Sequence, residues 1–516
     1  MRHTRPCTII ASLVTLCVAG CATIDPRPDF DRTSRHVEKA AGESLPQFED
    51  DVATREALVA ELLATGLTVD EAVKIALLNN TNVRAALARV GMARADAVQA
   101  GLFTNPTLGL SFRFPEGGGR SNLTAGLAQN IADLWLIPPR KRAAERDLDR
   151  TILEVAREVV ALTIDTRTGY YNTVAADQAL TIAQDNVALT KKLMEVTEAR
   201  LEAGAVGALD VNLAKGQALR AEVDFRTARL EAASARRSLA KALALTTLAD
   251  DLSLTDPLPS VQEHVIDAEW LVGMARESRL DLRAAQDGVA AAEARVKAEY
   301  AKVFPNVNVG LDLERSDRRA QPGRNILADT ARTSIANGGL TAPDTESRGQ
   351  RNQARSQEID LIMGPSFGVT LPIFDQNQAQ IAKARFSYEQ AIALLDSLDR
   401  SIVQETREAA DRASTAWNVA TLYDRELLPQ ARNTLSISEA AYQAGNTPIL
   451  NVIDAQRSLL ESRRGYIASL QAAANAFVEL ERAVARPIEV ILSPPEPPED
   501  TMLNQSDKGN SEGGQP

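Results

Sequence analysis

Aromatic residues supply only 4% of this 516-residue chain. A broad globular core draws much of its bulk from Phe, Tyr and Trp, so the shortage points to alanine-rich helices packed closely along their length. The three cysteines all fall within the first 21 residues, which leaves the rest of the chain without a disulfide or a thiol nucleophile. The three histidines, His3, His36 and His264, are scattered and build neither a catalytic triad nor a metal cluster. There is no Walker A loop. These absences predict a protein that is not an enzyme and holds no metal or cofactor. The net charge of −12 gives no basic footprint, which argues against nucleic acid as a partner. No segment after the leader offers about 18 consecutive apolar residues, so no transmembrane helix is expected. Any crossing of a bilayer must then use strands closed into a barrel.

The leader itself is informative. Arg2 and Arg5 precede an apolar run from Cys7 to Val18, followed by Val18-Ala19-Gly20-Cys21. Charge, length and the small-residue ending predict a signal peptide over 1–20. The last four residues fit a bacterial lipobox, in which Cys21 is lipidated by acyl chains such as palmitate. Ala22, rather than Asp, then predicts sorting to the outer membrane. The plainer alternative is cleavage near Ala19 or Ala22, which would leave Cys21 as a lone thiol in an oxidising compartment.

The chain also repeats itself. Ala199-Arg200-Leu201-Glu202-Ala203-Gly204-Ala205-Val206-Gly207-Ala208-Leu209-Asp210-Val211 is echoed by Ala440-Ala441-Tyr442-Gln443-Ala444-Gly445-Asn446-Thr447-Pro448-Ile449-Leu450-Asn451-Val452, with Gly204 over Gly445. Each copy is a glycine turn between two long helical patterns. Strand-like segments repeat too: 103–110 matches 304–311, and 125–131 matches 367–373. Each half therefore reads helix, strand, strand, long helix, tip, long helix, and a repeat of this size governs the fold.

Four segments alternate cleanly, at 107–114, 122–131, 306–314 and 366–373. Leu108, Leu110, Phe112 and Phe114 share one face of the first, while Thr107, Gly109, Ser111 and Arg113 share the other. Apolar outside and polar inside is the pattern of an outer-membrane barrel with a wet lumen. Arg113, Asp312 and Glu314 would be costly in a dry core. A small soluble sheet with one wet face is the alternative. Four strands cannot close alone; two chains would give a filled barrel of eight, whereas three give 12 strands and a channel.

After Pro138-Pro139 a helical pattern runs to about Ala203, roughly 65 residues or about 97 Å at about 1.5 Å per residue. Its counterpart runs from Gln376 to Ala444. Leu395, Leu398, Ile402, Thr406, Ala409, Ala413, Ala416, Ala420, Tyr423 and Leu427 mark a coiled-coil seam on it, and Pro429 predicts a kink. Returning helices are expected over 209–244 and 449–484. A hairpin rod of this kind suits a periplasmic scaffold as well, although a scaffold has no use for the four strands.

From about Leu67 to Ala485, the duplicated hairpin–strand layout and the two tip sequences resemble the TolC-like outer-membrane efflux protein family. The resemblance implies a mainly α protein with a membrane β-barrel. Long antiparallel helical hairpins would form a periplasmic α-barrel, and four strands per chain would contribute to a trimeric 12-stranded barrel. It implies a homotrimer, a periplasmic membrane-fusion adaptor at the tips, and an inner-membrane pump, of RND type ahead of ABC type. In the family, two acidic residues of the second tip line the narrowest part of the tunnel; here they correspond to Asn451 and Asp454. A Tyr, a basic residue and an Asp link the family's closed tips; here these positions are Tyr442, Thr447 and Asp210, so the basic member is missing. Asp454 is read as one acidic ring at the gate, or alternatively as a solvated helix-face acid. Gly204, Val206, Gly207, Ala208, Gly445, Asn446 and Pro448 are read as adaptor-docking residues, a role compatible with simple turn chemistry.

The plan is a signal peptide (1–20), a lipid-anchored tether with a short helix (21–66), a first repeat (67–266, tip 204–209), a second repeat (267–486, tip 445–449) and a disordered tail (487–516). An extracellular loop is expected over 315–360. The function implied is that of a passive outer-membrane exit duct of a tripartite efflux system, needing no cofactor besides the lipid on Cys21. The exit duct of a type I secretion system and a structural envelope lipoprotein are the alternatives. Its substrate is not written in the sequence.

Overall fold

A computed structural model describes residues 24–46, 52–64, 66–114, 121–245, 252–259, 266–317, 334–338 and 359–493. In chain order the elements are α1 (Arg27–Ala41), α2 (Val52–Ala64), α3 (Val69–Asn79), α4 (Thr81–Ala100), β1 (Thr107–Arg113), β2 (Asn122–Asn130), α5 (Asp133–Glu202) and α6 (Ala208–Ala242). The second half continues with α7 (Ala268–Ser278), α8 (Leu280–Ala301), β3 (Val307–Asp317), β4 (Ile359–Val369), α9 (Gln378–Leu422), a π-turn (Tyr423–Leu427), α10 (Leu428–Gln443), α11 (Ile449–Val484) and the short α12 (Ile488–Ile491). The chain divides into two compact units. One comprises 1–94, 147–289 and 391–516; the other comprises 95–146 and 290–390.

The second unit holds the sheet. Its strands are antiparallel in the order β1-β2-β3-β4. Leu108, Leu110, Phe112, Leu127, Leu311, Phe367 and Val369 all stand exposed, which is the condition of side chains built to face lipid. Among the described residues, β1 and β4 each pair on one side only. A long apolar edge left open invites pairing with another chain.

The strand boundaries correct two expectations. β4 was expected at 366–373 but spans Ile359–Val369, pairing in full with β3 from Val307↔Val369 to Asp317↔Ile359. Pro372 has no N–H to give a ladder, and the chain turns there, with Ile373 N–H bonding to Leu371 O at 3.0 Å. β3 likewise reaches Asp317, so the strands run into both ends of the expected 315–360 loop. Most of that loop lies outside the described residues.

The first unit is helical, and α4, α5, α8 and α9 are each shared in sequence between the two units. α5 is 70 residues long and begins at Asp133, ahead of the Pro138-Pro139 pair expected to open it. Thr163, Thr166, Thr173, Thr190 and Thr197 are buried along it, and each hydroxyl donates to a carbonyl three or four residues back. Hydroxyls satisfied within their own helix need no partner on the neighbour, so small polar residues can line a close-packed seam. Tyr170 pins the centre of this unit: its Oη donates to Leu67 O at 2.7 Å and accepts from Asp256 N at 2.9 Å.

The N-terminal segment, expected to hold one short helix, carries α1 and α2. α1 buries Asp29, Thr33, Val37, Ala40 and Ala41. Asp29 is fully buried and pairs with Arg94, whose Nη2 lies 2.6 Å from Oδ1. His36 sits on α1, where burial, helped by Arg283, holds its pKa down at about 4. At the other end, the tail expected to be disordered from 487 first makes α12, with Ile491 buried.

The helix expected from Gln376 to Ala444 is divided. Pro429 lacks the N–H that would bond to Arg425 O, and its ring crowds that carbonyl. The chain answers with the π-turn, in which Leu428 N–H bonds to Tyr423 O, five residues back. The predicted seam holds at Ile402, Thr406, Ala409, Ala413 and Ala420, all buried, and then fails: Leu427 is exposed and Leu428 is buried in its place. One extra residue in the π-turn shifts the heptad phase by one position.

Candidate functional site

The two tips are built alike. After α5, Gly204 takes φ +67°, its N–H bonds to Leu201 O at 2.9 Å, and Ala205 N–H bonds to Arg200 O at 2.8 Å. After α10, Gly445 takes φ +78°, bonding to Tyr442 O at 3.0 Å, while Asn446 N–H bonds to Ala441 O at 2.9 Å. Both are Schellman caps, which call for a left-handed residue at the helix end. No atom lies within 4 Å of a Cβ built on either glycine. The repeated glycine is therefore required by backbone conformation and not by crowding.

Gly207 and Pro448 are the N-caps that open α6 and α11, neither with a side-chain bond. Gly204, Gly207, Ala208, Gly445, Asn446 and Pro448 are exposed, and Val206 is half-buried. The tips thus present small side chains to solvent.

The residues expected at the gate do not form one cluster within the chain. Asn451 Nδ2 donates to Thr447 Oγ1 at 2.5 Å, and Asp454 is exposed one turn further along α11. Asp210 lies in the first turn of α6, where the helix dipole favours an acid. Tyr442 is buried among Leu193, Leu435, Ile449 and Ile453. Its Oη has no hydrogen-bond partner among the described residues, so the expected link to Asp210 is not made within one chain.

Arg200 makes the link instead. Its Nη1 donates to Tyr442 O at 2.8 Å, and its guanidinium lies 4.5 Å from the centre of the Tyr442 ring. The first hairpin thus holds the second tip through a charge-assisted hydrogen bond and a cation–π contact. Sequence reasoning missed this residue, although a signal was there: Arg200 aligns with Ala441, so the cation is peculiar to the first copy.

A second cross-hairpin tie was also missed. Arg167 Nη1 meets Glu481 Oε2 at 2.8 Å, Arg167 Nη2 donates to Ala41 O at 3.2 Å, and Ile488 N–H donates to Glu481 Oε1 at 2.7 Å. Three segments remote in sequence, around Ala41, Arg167 and 481–488, converge on this pair. Cys21 lies outside the described residues, as do His3 and His264.

Duplicated helical hairpins, paired Schellman tips and a four-stranded sheet with an exposed apolar face define a channel-forming envelope protein. The sequence profile of the outer membrane efflux protein family matches residues 72–245 and 271–486, once per half, and the chain belongs to that family. Its members are transport channels, homotrimers that span the outer membrane, extend into the periplasm and work with an adaptor and an inner-membrane pump. Among similar proteins, the cobalt-zinc-cadmium resistance protein CzcC of Cupriavidus metallidurans is 24% identical over 437 residues, covering 81% of this chain and 90% of that one. The pyoverdine export outer membrane protein OpmQ of Pseudomonas aeruginosa is 25% identical, covering 81% and 84%. The crystal structure of VceC from Vibrio cholerae superposes with a TM-score of 0.62 at 18% identity, covering 81% of this chain and 96% of that one. The fold is that of the TolC-like channels.

Proposed function

We propose that three copies of this chain form the exit duct of a tripartite efflux pump driven by an RND-type inner-membrane transporter, anchored to the outer membrane by lipid on Cys21. The observation that carries the duct is the sheet: one apolar face stands exposed, and among the described residues β1 and β4 each lack a partner on one side. In a bilayer every backbone polar group must be satisfied, and closure with neighbouring copies removes both edges.

The exposed small-residue tips offer an adaptor helix a close approach. At the entrance, Asp454 contributes one acidic ring, once per subunit. The duct carries out no chemistry and needs no resident metal or cofactor; the pump supplies the energy. The relatives named above serve functions as different as cobalt-zinc-cadmium resistance and pyoverdine export, which fits selectivity residing in the pump.

Detergent-extracted full-length trimers placed in planar bilayers should conduct, and Asp454→Ala should lower their preference for cations. Wild-type trimers that never conduct would remove the duct reading; conduction with unchanged selectivity in Asp454→Ala would remove the entrance ring alone. Labelled palmitate should enter the wild-type chain and not Cys21→Ser; equal labelling would exclude Cys21 as the anchor. Co-purification from native envelopes distinguishes an RND pump from the ABC exporter of a secretion system.

A further inference from the structure

The sheet register sets four inward positions side by side across the strands: Gly109↔Gly126, Gly126↔Asp312 and Asp312↔Gly364. Asp312 is the only side chain in this row. Its carboxylate lies over the neighbouring strand, because a Cβ built on Gly126 would stand 2.5 Å from Asp312 Oδ1 and 3.6 Å from Cγ. On the other side, a Cβ on Gly364 would meet nothing within 4 Å. The next row, Thr107, Ala128, Gly310 and Ser366, is small as well.

Glycine inside a strand costs stability and packs nothing. At Gly126 the reason is the close approach of another group. Here the group is the Asp312 carboxylate, laid flat along the wall instead of standing across the passage.

We infer that Asp312 is a charge filter of the barrel lumen, a ring of three carboxylates that favours cations, and that Gly126 positions it. This rests on the reading of the sheet as one third of a barrel with its polar face inward. Rings of Asp or Glu are a recognised device for cation preference in pores. The inward cation Arg113 lies opposite Asn122, four residues along β2 from Gly126. At about 3.3 Å per residue that is about 13 Å, beyond the screening length of about 8 Å at physiological salt. Arg113 therefore leaves the field of Asp312 largely intact. Glu314, two residues along at about 7 Å, reinforces it.

The test uses full-length trimers in planar bilayers under a KCl gradient, with the reversal potential as readout. Asp312→Asn should reduce the potassium-to-chloride permeability ratio at least about twofold in 0.1 M salt and much less in 1 M salt, where screening shortens to about 3 Å. Asp312→Glu should retain the ratio. Asp312→Cys should regain cation preference with an anionic thiol reagent and lose more of it with a cationic one. Gly126→Ala, which keeps the charge but displaces the carboxylate, should lower conductance. A ratio unchanged in Asp312→Asn and indifferent to both reagents would overturn the filter, while conduction itself would leave the duct standing. Wild-type trimers that never conduct would bring down the duct reading and the filter with it.

Discussion

Removing Glu481 should loosen both ends of the described chain together. Its side chain is 4% exposed and that of Arg167 is 13% exposed. Glu481→Leu leaves the guanidinium buried without its counter-ion and strips Ile488 N–H of its acceptor. Losing one partner of a buried ion pair costs about 3–5 kcal/mol. At about 1.4 kcal/mol per decade, even the lower figure corresponds to roughly a hundredfold change in an opening equilibrium. Amide hydrogen exchange across α1 and α12 should accelerate by that order, because Arg167 also holds Ala41 O and Glu481 holds Ile488 N–H. The double variant Arg167→Met/Glu481→Leu should recover most of the protection, since a buried pair replaced by apolar groups of similar volume is close to neutral. Exchange within threefold of wild type in Glu481→Leu, or a double variant as loose as the single, would refute the tie.

The pair also carries a pH signature. Burial pushes the Glu481 carboxyl above its usual value of 4.5, against the opposing pull of Arg167 and of Ile488 N–H. A carboxyl raised in this way binds its proton more readily when folded. Its contribution is fully present below the unfolded pKa and is lost as pH rises through the folded one. Protection of α12 should therefore decline as pH climbs from about 4.5, and Glu481→Gln should flatten that slope. A slope equally steep in Glu481→Gln would place its origin elsewhere.

Arg200→Ala should free the second tip: a hydrogen bond to a charged group and a partly exposed cation–π contact together are worth about 2–3 kcal/mol. Proteolytic cleavage near Asn446 should rise roughly tenfold or more on that scale, with Arg200→Lys intermediate; unchanged cleavage would sink the idea. Leu110→Arg should cost about 2–4 kcal/mol if Leu110 faces lipid near the midplane, and heat-stable trimers should be depleted. Ser111→Arg, on the wet face, should assemble nearly normally, and equal damage from both would argue against a lipid-facing side.

Most of the architecture was legible because it is periodic. Alternation marked four strands, threes and fours marked the seams, and the tip glycines marked turns that only a left-handed residue closes. The misses share a physical cause. β4 extends to Ile359 because pairing with β3 outweighs weak alternation around Gly364-Pro365. The face that α1 buries includes Asp29 and Thr33, whose burial depends on Arg94 and on the helix's own carbonyls, so no apolar stripe marks its extent. Arg200 and the Arg167–Glu481 pair act across 242 and 314 residues of sequence, and no local pattern encodes a partner that remote. Of the expected gate, the turn chemistry was readable, whereas the side chain that engages Tyr442 depends on how the two hairpins meet.

The duplication explains why there are two hairpins; the departures from it explain why they differ. α5 runs unbroken to its tip, whereas the matching helix is interrupted by the π-turn ahead of Pro429. No residue of that turn is buried. On the facing helix α11, Gly465 leaves room for the Tyr423 ring, because a Cβ there would stand 2.5 Å from Tyr423 Oη. Hydrophobic packing is correspondingly divided. One cluster gathers Ala409, Ala413, Trp417, Phe477 and Leu480, and another gathers Leu435, Tyr442, Ile449 and Leu459. A continuous heptad seam would fuse such clusters into one stiff rod. The π-turn, with its one-residue phase shift, falls between these two clusters in the sequence of α9 and α10. The second tip is also the one that Arg200 grips from the first hairpin, so the holding contact falls on the hairpin whose helix is interrupted.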